Sequence, residues 1–414
     1  MKISQHGIVK SIKLIPLLSF LALFSITAFC DTQIQFKSNL SSMPLIHDQH
    51  YYDNKVPYDD DSQNHPLAGL VEPIVDESIA KGLPGVIVLI DEPDYGTYVC
   101  AKGVMDIKNH IHIQKNSISR IGSITKMFTG VVTLQLFQEH KISLDDPISK
   151  YLAKDIIQSI QNAEQVTIRQ LLNHTSGIYN YTDIQDPVKY CKLGNNKEQT
   201  ILNCLKLIYN HPSYFPPGSS FHYSNSNFLL LGLIIEKVTH QRLNDVFRER
   251  IFTPLRLKST DYDPDHPFPK NLARGYIDIN NDKSYIDCTY FDEACRTPDG
   301  GVTSCVYDMA AFIKAIFNDR HFLMKSAFEQ MTENMFNADE MGMAGLGIFE
   351  DDLGNGVSIY GYSGGHYSYS AELFYVPAKK ITFACLVNTS RHFTNSSKTY
   401  TEFRLRLFRL IASL

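Results

Sequence analysis

The stretch RIGSITKMFTG, residues 120–130, places a serine and a lysine three positions apart within an apolar segment. On a helix, residues i and i+3 share a face, so Ser123 and Lys126 lie within reach of each other. A serine hydroxyl becomes an effective nucleophile when an adjacent base takes its proton. Lysine can be that base where burial disfavours its ammonium form, and the residues around Lys126 are apolar. A chance surface pair is the alternative, but an unpaired buried lysine is costly, which favours catalysis.

A second candidate piece is FPPGSSFHYSNSNFLLLGLIIEKVT, residues 215–239, in which Tyr223 and Asn225 directly precede an apolar helix. A phenol near a lysine can pass a proton to a leaving group, and an asparagine amide can hold both a lysine and a substrate amide. Taken alone, this segment is equally typical of a turn whose serines and asparagines cap the following helix.

A third piece is YGYSGGHYSYSAELFY, residues 360–375. Gly364 and Gly365 lie where one predicted strand ends, and glycine in a strand permits close approach of a ligand to the backbone. A backbone N–H at this edge can bind an oxyanion beside the N–H of Ser123, which the positive end of its helix also favours. A simple hairpin bend is the alternative.

In combination and in this order, the three pieces resemble the penicillin-recognising serine hydrolases, in the branch that contains class C β-lactamases, DD-carboxypeptidases and related esterases. Other stretches resemble the same family, namely LDDPISKYL (144–152), TIRQLLNHTSGI (167–178), FPPGSSFHYSNSNFLLLG (215–232) and PDGGVTSCVYDMAAF (298–312). The resemblance extends from about residue 66 to the C-terminus.

The resemblance assigns a role to each matched residue. It implies that Ser123 is the acylated nucleophile, Lys126 its base, Tyr223 a second acid/base group and Asn225 the ligand of the substrate's acyl-side amide. Ser363 and Gly364 match the last two positions of the third motif and, with Tyr362, are expected to bind substrate. The N–H of Gly365 is expected to complete the oxyanion hole with that of Ser123. The implied reaction is acyl transfer to Ser123 followed by hydrolysis, with no metal and no organic cofactor.

One position departs from the family pattern. The third motif usually opens with lysine or histidine, which helps to bind a substrate carboxylate, and here that position is Tyr362. Losing a charge-assisted hydrogen bond costs roughly 1.5–3 kcal/mol, which is about tenfold to a hundredfold or more in rate. His366 compensates in part if it points inward, although an exposed turn residue is the favoured interpretation.

The element pattern predicts the fold. Residues 83–106 read as a β-hairpin, the segment from Ser123 to about His140 as a buried helix, and residues 355–388 as a three-stranded meander before a closing amphipathic helix. We therefore expect an α/β (α+β) fold with an antiparallel sheet formed from both chain ends and an inserted mostly helical domain. The sheet subdomain is predicted at about 66–118 and 345–414, and the helical subdomain at about 119–344.

The N-terminal segment differs from the rest of the 414 residues. Lysines precede the apolar run LIPLLSFLALFSITAFC, and the first acid is Asp31. This pattern is typical of a signal peptide over residues 1–30, followed by a flexible polar leader over 31–65. We expect a periplasmic or secreted protein that meets the membrane only if the N-terminal segment is retained. Disulfides are then permitted, and the near-neighbour pairs are Cys191/Cys204 and Cys288/Cys295.

The sequence supports several functions. The first is an exported D-alanyl-D-alanine carboxypeptidase-like serine hydrolase, or a related amide hydrolase, acting on a small-molecule or cell-wall-type peptide substrate. An esterase of the same fold is the second candidate, only slightly behind, because Tyr362 carries no charge and an ester substrate needs no residue that binds a carboxylate. A β-lactamase comes third, and a non-catalytic penicillin-recognising binding protein is disfavoured by the complete set of catalytic residue types. The net charge of −5 offers no basic surface for nucleic acid. The oligomeric state stays open.

Overall fold

The computed structural model describes residues 45–47, 64–184, 200–263, 268–269, 271–278, 280, 282–290, 296–354, 356–390 and 395–414. The predicted signal peptide and most of the predicted leader lie outside these residues. In the described part of the chain, no helix is both long enough and apolar enough to cross a membrane.

Strands from both ends of the chain combine into one large antiparallel sheet. The described strands are β1 (Leu45–His47), β2 (Gly85–Glu92), β3 (Gly96–Asp106), β4 (Ile111–His112), β5 (Ser119–Arg120), β6 (Tyr276–Ile277), β7 (Ser284–Asp287), β8 (Thr303–Ser304), β9 (Phe336–Asn337), β10 (Met343–Ala344), β11 (Phe349–Asp352), β12 (Ser358–His366), β13 (Tyr369–Val376) and β14 (Ile381–Val387). The sheet has the order β4-β3-β2-β14-β13-β12-β11-β10-β9. The N-terminal and C-terminal parts meet where β2 pairs with β14, with Val88 opposite Cys385. The prediction of a sheet built from both termini is therefore confirmed.

Helices cover both faces of this sheet. The described α-helices are α1 (Ala68–Ala80), α2 (Thr125–Gln138), α3 (Lys154–Ser159), α4 (Ile168–Leu172), α5 (Thr200–Lys206), α6 (Asn225–Thr239), α7 (Leu243–Phe247), α8 (Val306–Asn318), α9 (Lys325–Thr332) and α10 (Asn395–Ser413). The terminal helices α1 and α10 pack on one face, and the helical insertion, including α2 and α8, packs on the other.

Two apolar cores explain why β2 reads as a continuous run of aliphatic residues. Successive side chains of a strand point to opposite faces, so Val86 and Val88 pack under α1 and α10. Ile87 and Leu89 pack instead against the helical insertion. A strand that is buried on both faces has apolar residues at successive positions, whereas a half-exposed strand alternates polar and apolar residues.

Helix α2 forms the centre of the larger core and carries the predicted lysine. Nearly all of its side chains are buried, and the ring of Phe128 stacks on that of Phe312 of α8 with 3.9 Å between centroids. Burying a large apolar side chain stabilises a fold by about 1.5–3 kcal/mol. The helix is therefore a rigid support for the residues that project from its N-terminal end.

Several sequence predictions need correction in detail. Within the leader predicted as flexible, residues 45–47 form a strand that pairs with β7. The helix predicted from Ser123 begins as a 3₁₀ turn, Gly122–Ile124, and becomes α-helical at Thr125. Helix α7 ends at Phe247, and the chain continues as a π-helical turn over Arg248–Phe252.

The cysteine predictions are tested only in part. Cys305 and Cys385 are buried free thiols. Cys204 is a buried free thiol on α5, and burial raises its pKa to about 12. Its suggested partner, Cys191, lies outside the described residues, as does Cys295, the suggested partner of Cys288.

Candidate active site

Ser123 lies where the sheet meets the helical insertion. It occupies the middle of the 3₁₀ turn that leads into α2 and is partly exposed. The preceding Gly122 has φ of +51°, a left-handed conformation in which glycine avoids the steric cost of a side chain. This turn leaves Ser123 partly exposed, while the next helical turn carries Lys126 into the interior.

The amine of Lys126 is completely buried and contacts three oxygen atoms. Its Nζ lies 3.1 Å from Ser123 Oγ and donates to Asn225 Oδ1 and to the backbone carbonyl of Asp299, both at 2.7 Å. The last two partners are acceptors only, so each takes one N–H of the amine. The third bonding direction of Nζ faces the Ser123 hydroxyl, which is the position that a general base must occupy to take its proton.

Tyr223, which belongs to a separate segment of the chain, contacts the same hydroxyl. Its phenol oxygen lies 2.9 Å from Ser123 Oγ, and its side chain is half-buried. The ring of His174 stacks on the Tyr223 ring with centroids 4.4 Å apart. The Nζ of Lys126 lies 5.0 Å from the centroid of the tyrosine ring. Ser123 therefore has two proton-transfer partners within hydrogen-bonding distance.

Asn225, the first residue of α6, orients the lysine. Its Oδ1 accepts from Lys126, and its Nδ2 donates to the hydroxyl of Thr182 at 2.9 Å. The Asn225 N–H donates to Asn180 Oδ1 at 3.0 Å, which fixes the start of the helix. Of the two tasks that the sequence predicts for Asn225, the structure shows the contact with lysine, and the contact with a substrate amide stays a prediction.

His174 is a buried polar residue that sequence reasoning did not assign to the site. The N–H of Ser224 donates to its Nδ1 at 3.1 Å, so that nitrogen is an acceptor and Nε2 carries the proton. Nε2 lies 3.3 Å from the hydroxyl of Tyr362 and donates to it. Burial, followed by the nearby charges of Lys126 and His222, holds the pKa of His174 well below its ordinary value of 6.5. The ring is therefore neutral, and it connects the second motif to the third.

Tyr362, the departure from the family pattern, is buried under the site. Only 2% of it is exposed, and its ring packs edge-on against Phe349 with centroids 5.0 Å apart. Because its hydroxyl accepts from His174 and carries no charge, Tyr362 does not provide the cation that anchors a substrate carboxylate in relatives with lysine or histidine there.

Gly364 and Gly365 pack directly against the turn that carries Ser123. A Cβ atom at Gly364 would lie 1.9 Å from the carbonyl oxygen of Ile121. A Cβ at Gly122 would lie 2.8 Å from the nitrogen and 2.6 Å from the oxygen of Gly365. The absence of side chains at these positions lets β12 approach the turn that carries the nucleophile. The role of the Gly365 N–H in an oxyanion hole stays a prediction.

Two other third-motif residues point to different places from those predicted. Ser363 was expected to bind substrate, but its hydroxyl donates to Glu372 at 2.5 Å, in the layer between the sheet and α10. His366 is not an exposed turn residue, since it is the half-buried last residue of β12. Its Nε2 accepts from the guanidinium of Arg120 at 2.8 Å, and Arg120 itself is 2% exposed.

The structure also adds residues to the predicted site. His174 and Asp299 lie within the stretches TIRQLLNHTSGI and PDGGVTSCVYDMAAF, which resembled the family, but no side-chain chemistry in these stretches marked them. Asp299 acts through a backbone carbonyl, which a sequence pattern does not reveal. The signal for His174 was its place in an apolar segment without an evident charged partner.

The arrangement as a whole can perform acyl transfer. A buried amine and a phenol both lie within hydrogen-bonding distance of the Ser123 hydroxyl. In comparison with known proteins, a family model described as Beta-lactamase matches residues 67–403. The chain belongs to this family. Members of the Beta-lactamase family are serine hydrolases, which agrees with the chemistry available at Ser123.

The relatives of this Beta-lactamase family chain include two proteins of Staphylococcus aureus. "Protein flp" of Staphylococcus aureus (strain MW2) is 28% identical over 268 residues, 64% of this chain and 52% of that protein. "Teichoic acid D-alanine hydrolase" of Staphylococcus aureus is 29% identical over 191 residues, 46% of this chain and 44% of that protein. The chain thus spans about half the length of the curated relatives that it matches.

A solved structure supports the fold of this Beta-lactamase family chain over nearly its whole described length. The D-stereospecific amidohydrolase from Streptomyces sp. superposes with a TM-score of 0.69 and 28% identity, covering 81% of this chain and 98% of that one. The predicted family and fold class are therefore confirmed, and membership of this family agrees with the predicted serine hydrolase chemistry.

Proposed function

We propose that the protein hydrolyses amides or esters of D-amino acids through an acyl-enzyme on Ser123. The observation that carries this proposal is the meeting of Lys126 Nζ and the Tyr223 hydroxyl at Ser123 Oγ, at 3.1 and 2.9 Å. The preference for D-configured substrates rests on the names of two relatives, a D-stereospecific amidohydrolase and a teichoic acid D-alanine hydrolase.

The proposed reaction begins with proton transfer to the buried amine. As Ser123 Oγ adds to the substrate carbonyl, its proton passes to Lys126, and the carbonyl oxygen becomes an oxyanion at the N–H groups of Ser123 and Gly365. Tyr223 then gives its proton to the leaving amine or alkoxide and regains one from Lys126. A water molecule attacks the acyl-enzyme by the same route in reverse, which releases the acid and restores Ser123.

The environment of Tyr362 favours substrates that lack a carboxylate beside the scissile bond. A DD-carboxypeptidase substrate ends in such a carboxylate, whereas a D-amino acid amide or a D-alanyl ester does not. Because Tyr362 is buried and its hydroxyl accepts from His174, we rank amidase or esterase activity above carboxypeptidase activity. β-Lactamase activity ranks below both.

Covalent labelling and a substrate profile test this proposal. Incubation with a fluorophosphonate should add one phosphonyl group to Ser123, located by peptide mass spectrometry, and the Ser123→Ala variant should stay unlabelled. The ratio kcat/KM should then be higher for D-alaninamide and D-alanine methyl ester than for their L-enantiomers, for N-acetyl-D-Ala-D-Ala and for a chromogenic cephalosporin. An unlabelled wild-type protein would favour the binding-protein alternative.

We further propose that residues 1–30 direct export. The basis is the lysine-led apolar run in the sequence. Expression of the full chain in a bacterial host, with N-terminal sequencing of the product outside the cytoplasm, tests this point. A product in the cytoplasm that retains Met1 would contradict it.

A further inference from the structure

A buried charged cluster lies directly behind the third motif and joins β12, β13 and α10. Its centre is Glu372 of β13, which is 1% exposed and lies opposite Ser363 in the sheet register. One carboxylate oxygen accepts the Ser363 hydroxyl at 2.5 Å. The other accepts the Tyr400 hydroxyl at 2.6 Å and Nε of Arg404 at 2.8 Å. A donor from β12 therefore holds one oxygen, and two donors from α10 hold the other.

Burying the charges of this cluster costs free energy because they lose their hydration. Arg404 is 8% exposed, and its guanidinium lies 4.3 Å from the centroid of the Phe408 ring. A buried ion pair often contributes little net stability, because desolvation offsets the attraction, whereas loss of one partner is strongly destabilising. In this cluster the effect of the ion pair is geometric. The Arg404 guanidinium fixes the orientation of the Glu372 carboxylate, and this carboxylate fixes the Ser363 side chain.

The opposite face of the same strand is held by the nucleophile turn. Next to Ser363, Gly364 packs so closely on Ile121 that it has no room for a Cβ atom. Gly365 approaches Gly122 in the same way. The backbone of residues 363–365 is therefore held between the Ser123 turn on one side and the Glu372 cluster on the other. A displacement of either contact moves the N–H of Gly365 relative to Ser123.

We propose that Glu372, held by Arg404 and Tyr400, is a positioning residue that sets the oxyanion-binding backbone of the third motif through the Ser363 hydroxyl. This inference rests on the proposed function. It also reassigns Ser363: the hydroxyl that the family resemblance places on the substrate serves here as the link between the C-terminal helix and the active site. The C-terminal helix thereby contributes to catalysis without contacting substrate.

The experiment compares two variants in the cluster with one matched control. Ser363→Ala removes the link and leaves the Glu372–Arg404 ion pair intact, and Glu372→Gln keeps the shape but removes the charge. The control is Glu77→Gln, because Glu77 forms an exposed ion pair with Arg406 and so also ties α10 to the body of the protein. Measurements are kcat and KM on p-nitrophenyl acetate and on D-alanine p-nitroanilide, the rate of fluorophosphonate labelling, and hydrogen exchange in peptides covering residues 358–366.

Positioning predicts a common pattern in the two cluster variants. The kcat and the labelling rate fall by about tenfold on both substrates, KM changes by less than twofold, and hydrogen exchange over residues 358–366 becomes faster, while Glu77→Gln matches the wild type. If Ser363→Ala instead raises KM for the D-alanine substrate alone, Ser363 binds substrate and the inference is wrong. Equal behaviour of Glu372→Gln and Glu77→Gln would also overturn it.

The proposed function can fail separately from this inference. A wild-type protein that neither labels nor turns over substrate would reject acyl-enzyme chemistry on Ser123. The exchange measurement still decides whether Glu372 holds the strand, because it needs no catalytic activity. Faster exchange in Glu372→Gln and Ser363→Ala, but not in Glu77→Gln, then supports the structural part of the inference. Unchanged exchange refutes it.

Discussion

Nε2 of His174 lies 3.3 Å from the hydroxyl of Tyr362, in a buried hydrogen bond that joins the second and third motifs. The same imidazole stacks on Tyr223, whose hydroxyl contacts Ser123. A family position that usually provides positive charge to the substrate therefore provides an uncharged support in this protein. At this position the site therefore has a buried aromatic side chain, Tyr362, instead of a cation that could bind a substrate carboxylate.

Substitution of Tyr362 by histidine tests whether the missing charge limits the substrate range. We expect Tyr362→His to raise kcat/KM for N-acetyl-D-Ala-D-Ala relative to p-nitrophenyl acetate by about tenfold or more, since a charge-assisted hydrogen bond contributes roughly 1.5–3 kcal/mol. The ratio should be measured at acidic pH, where an imidazole is more often charged. Tyr362→Phe is the control, and its ratio should match the wild type. An unchanged ratio in Tyr362→His would refute the charge argument.

Removal of the two hydroxyls at the centre of the site separates their roles. Ser123→Ala should lower kcat by about a millionfold and abolish fluorophosphonate labelling, because no covalent route remains. Tyr223→Phe should lower kcat by about a hundredfold to ten-thousandfold, the usual contribution of a general acid or base, and should label slowly. Steady-state kinetics and labelling rates distinguish these outcomes. Normal turnover by Tyr223→Phe would assign its task to another group.

The main architecture and the central residues of the site could be predicted from sequence. The pattern of the chain ends predicts the sheet, and the apolar helix after Ser123 predicts a buried lysine, because both depend on local periodicity. The strand at residues 45–47 was not predicted, since three residues in a polar segment give no periodic signal. The close approach of Gly364 to Ile121 and the contact of Lys126 with the Asp299 carbonyl arise only from tertiary packing.

Which face of β12 each side chain occupies also could not be predicted from the sequence. The sequence order of Tyr362, Ser363 and Gly364 matches a family motif, but a strand alternates its side chains. Only the position of the neighbouring helices decides which face meets the substrate. The placement of Glu372 and α10 behind the strand directs Ser363 away from Ser123, and this placement depends on residues far away in the sequence.

A methyl group at Gly364 should disable the oxyanion site. The Cβ of Gly364→Ala would meet the backbone oxygen of Ile121 at 1.9 Å, and backbone cannot move aside as a flexible side chain can. We expect kcat to fall by about a hundredfold or more, the usual effect of losing an oxyanion donor. Gly69→Ala is the control, because Gly69 is exposed on α1 with no neighbour within 4 Å of an added Cβ. The control should gain about 0.5–1 kcal/mol in stability and keep full activity. Equal kinetics in both variants would contradict the close packing.

The buried His174 should make the protein less stable in mild acid. Its pKa lies well below 6.5 in the folded state, mainly because burial disfavours the charged ring. Below pH 6.5 the unfolded chain binds a proton at this imidazole and the folded chain does not, so the free energy of unfolding decreases as the pH falls, by up to about 1.4 kcal/mol per pH unit.

Denaturant unfolding of the wild type and of His174→Gln at pH 7.5, 6.5 and 5.5 measures this effect. Burial also lowers the pKa of His222, which is present in both proteins, so the difference between them reports His174 together with its interaction with His222. The wild type should therefore lose more stability than His174→Gln between pH 6.5 and 5.5, and parallel curves for the two proteins would show that His174 accepts a proton in the folded state.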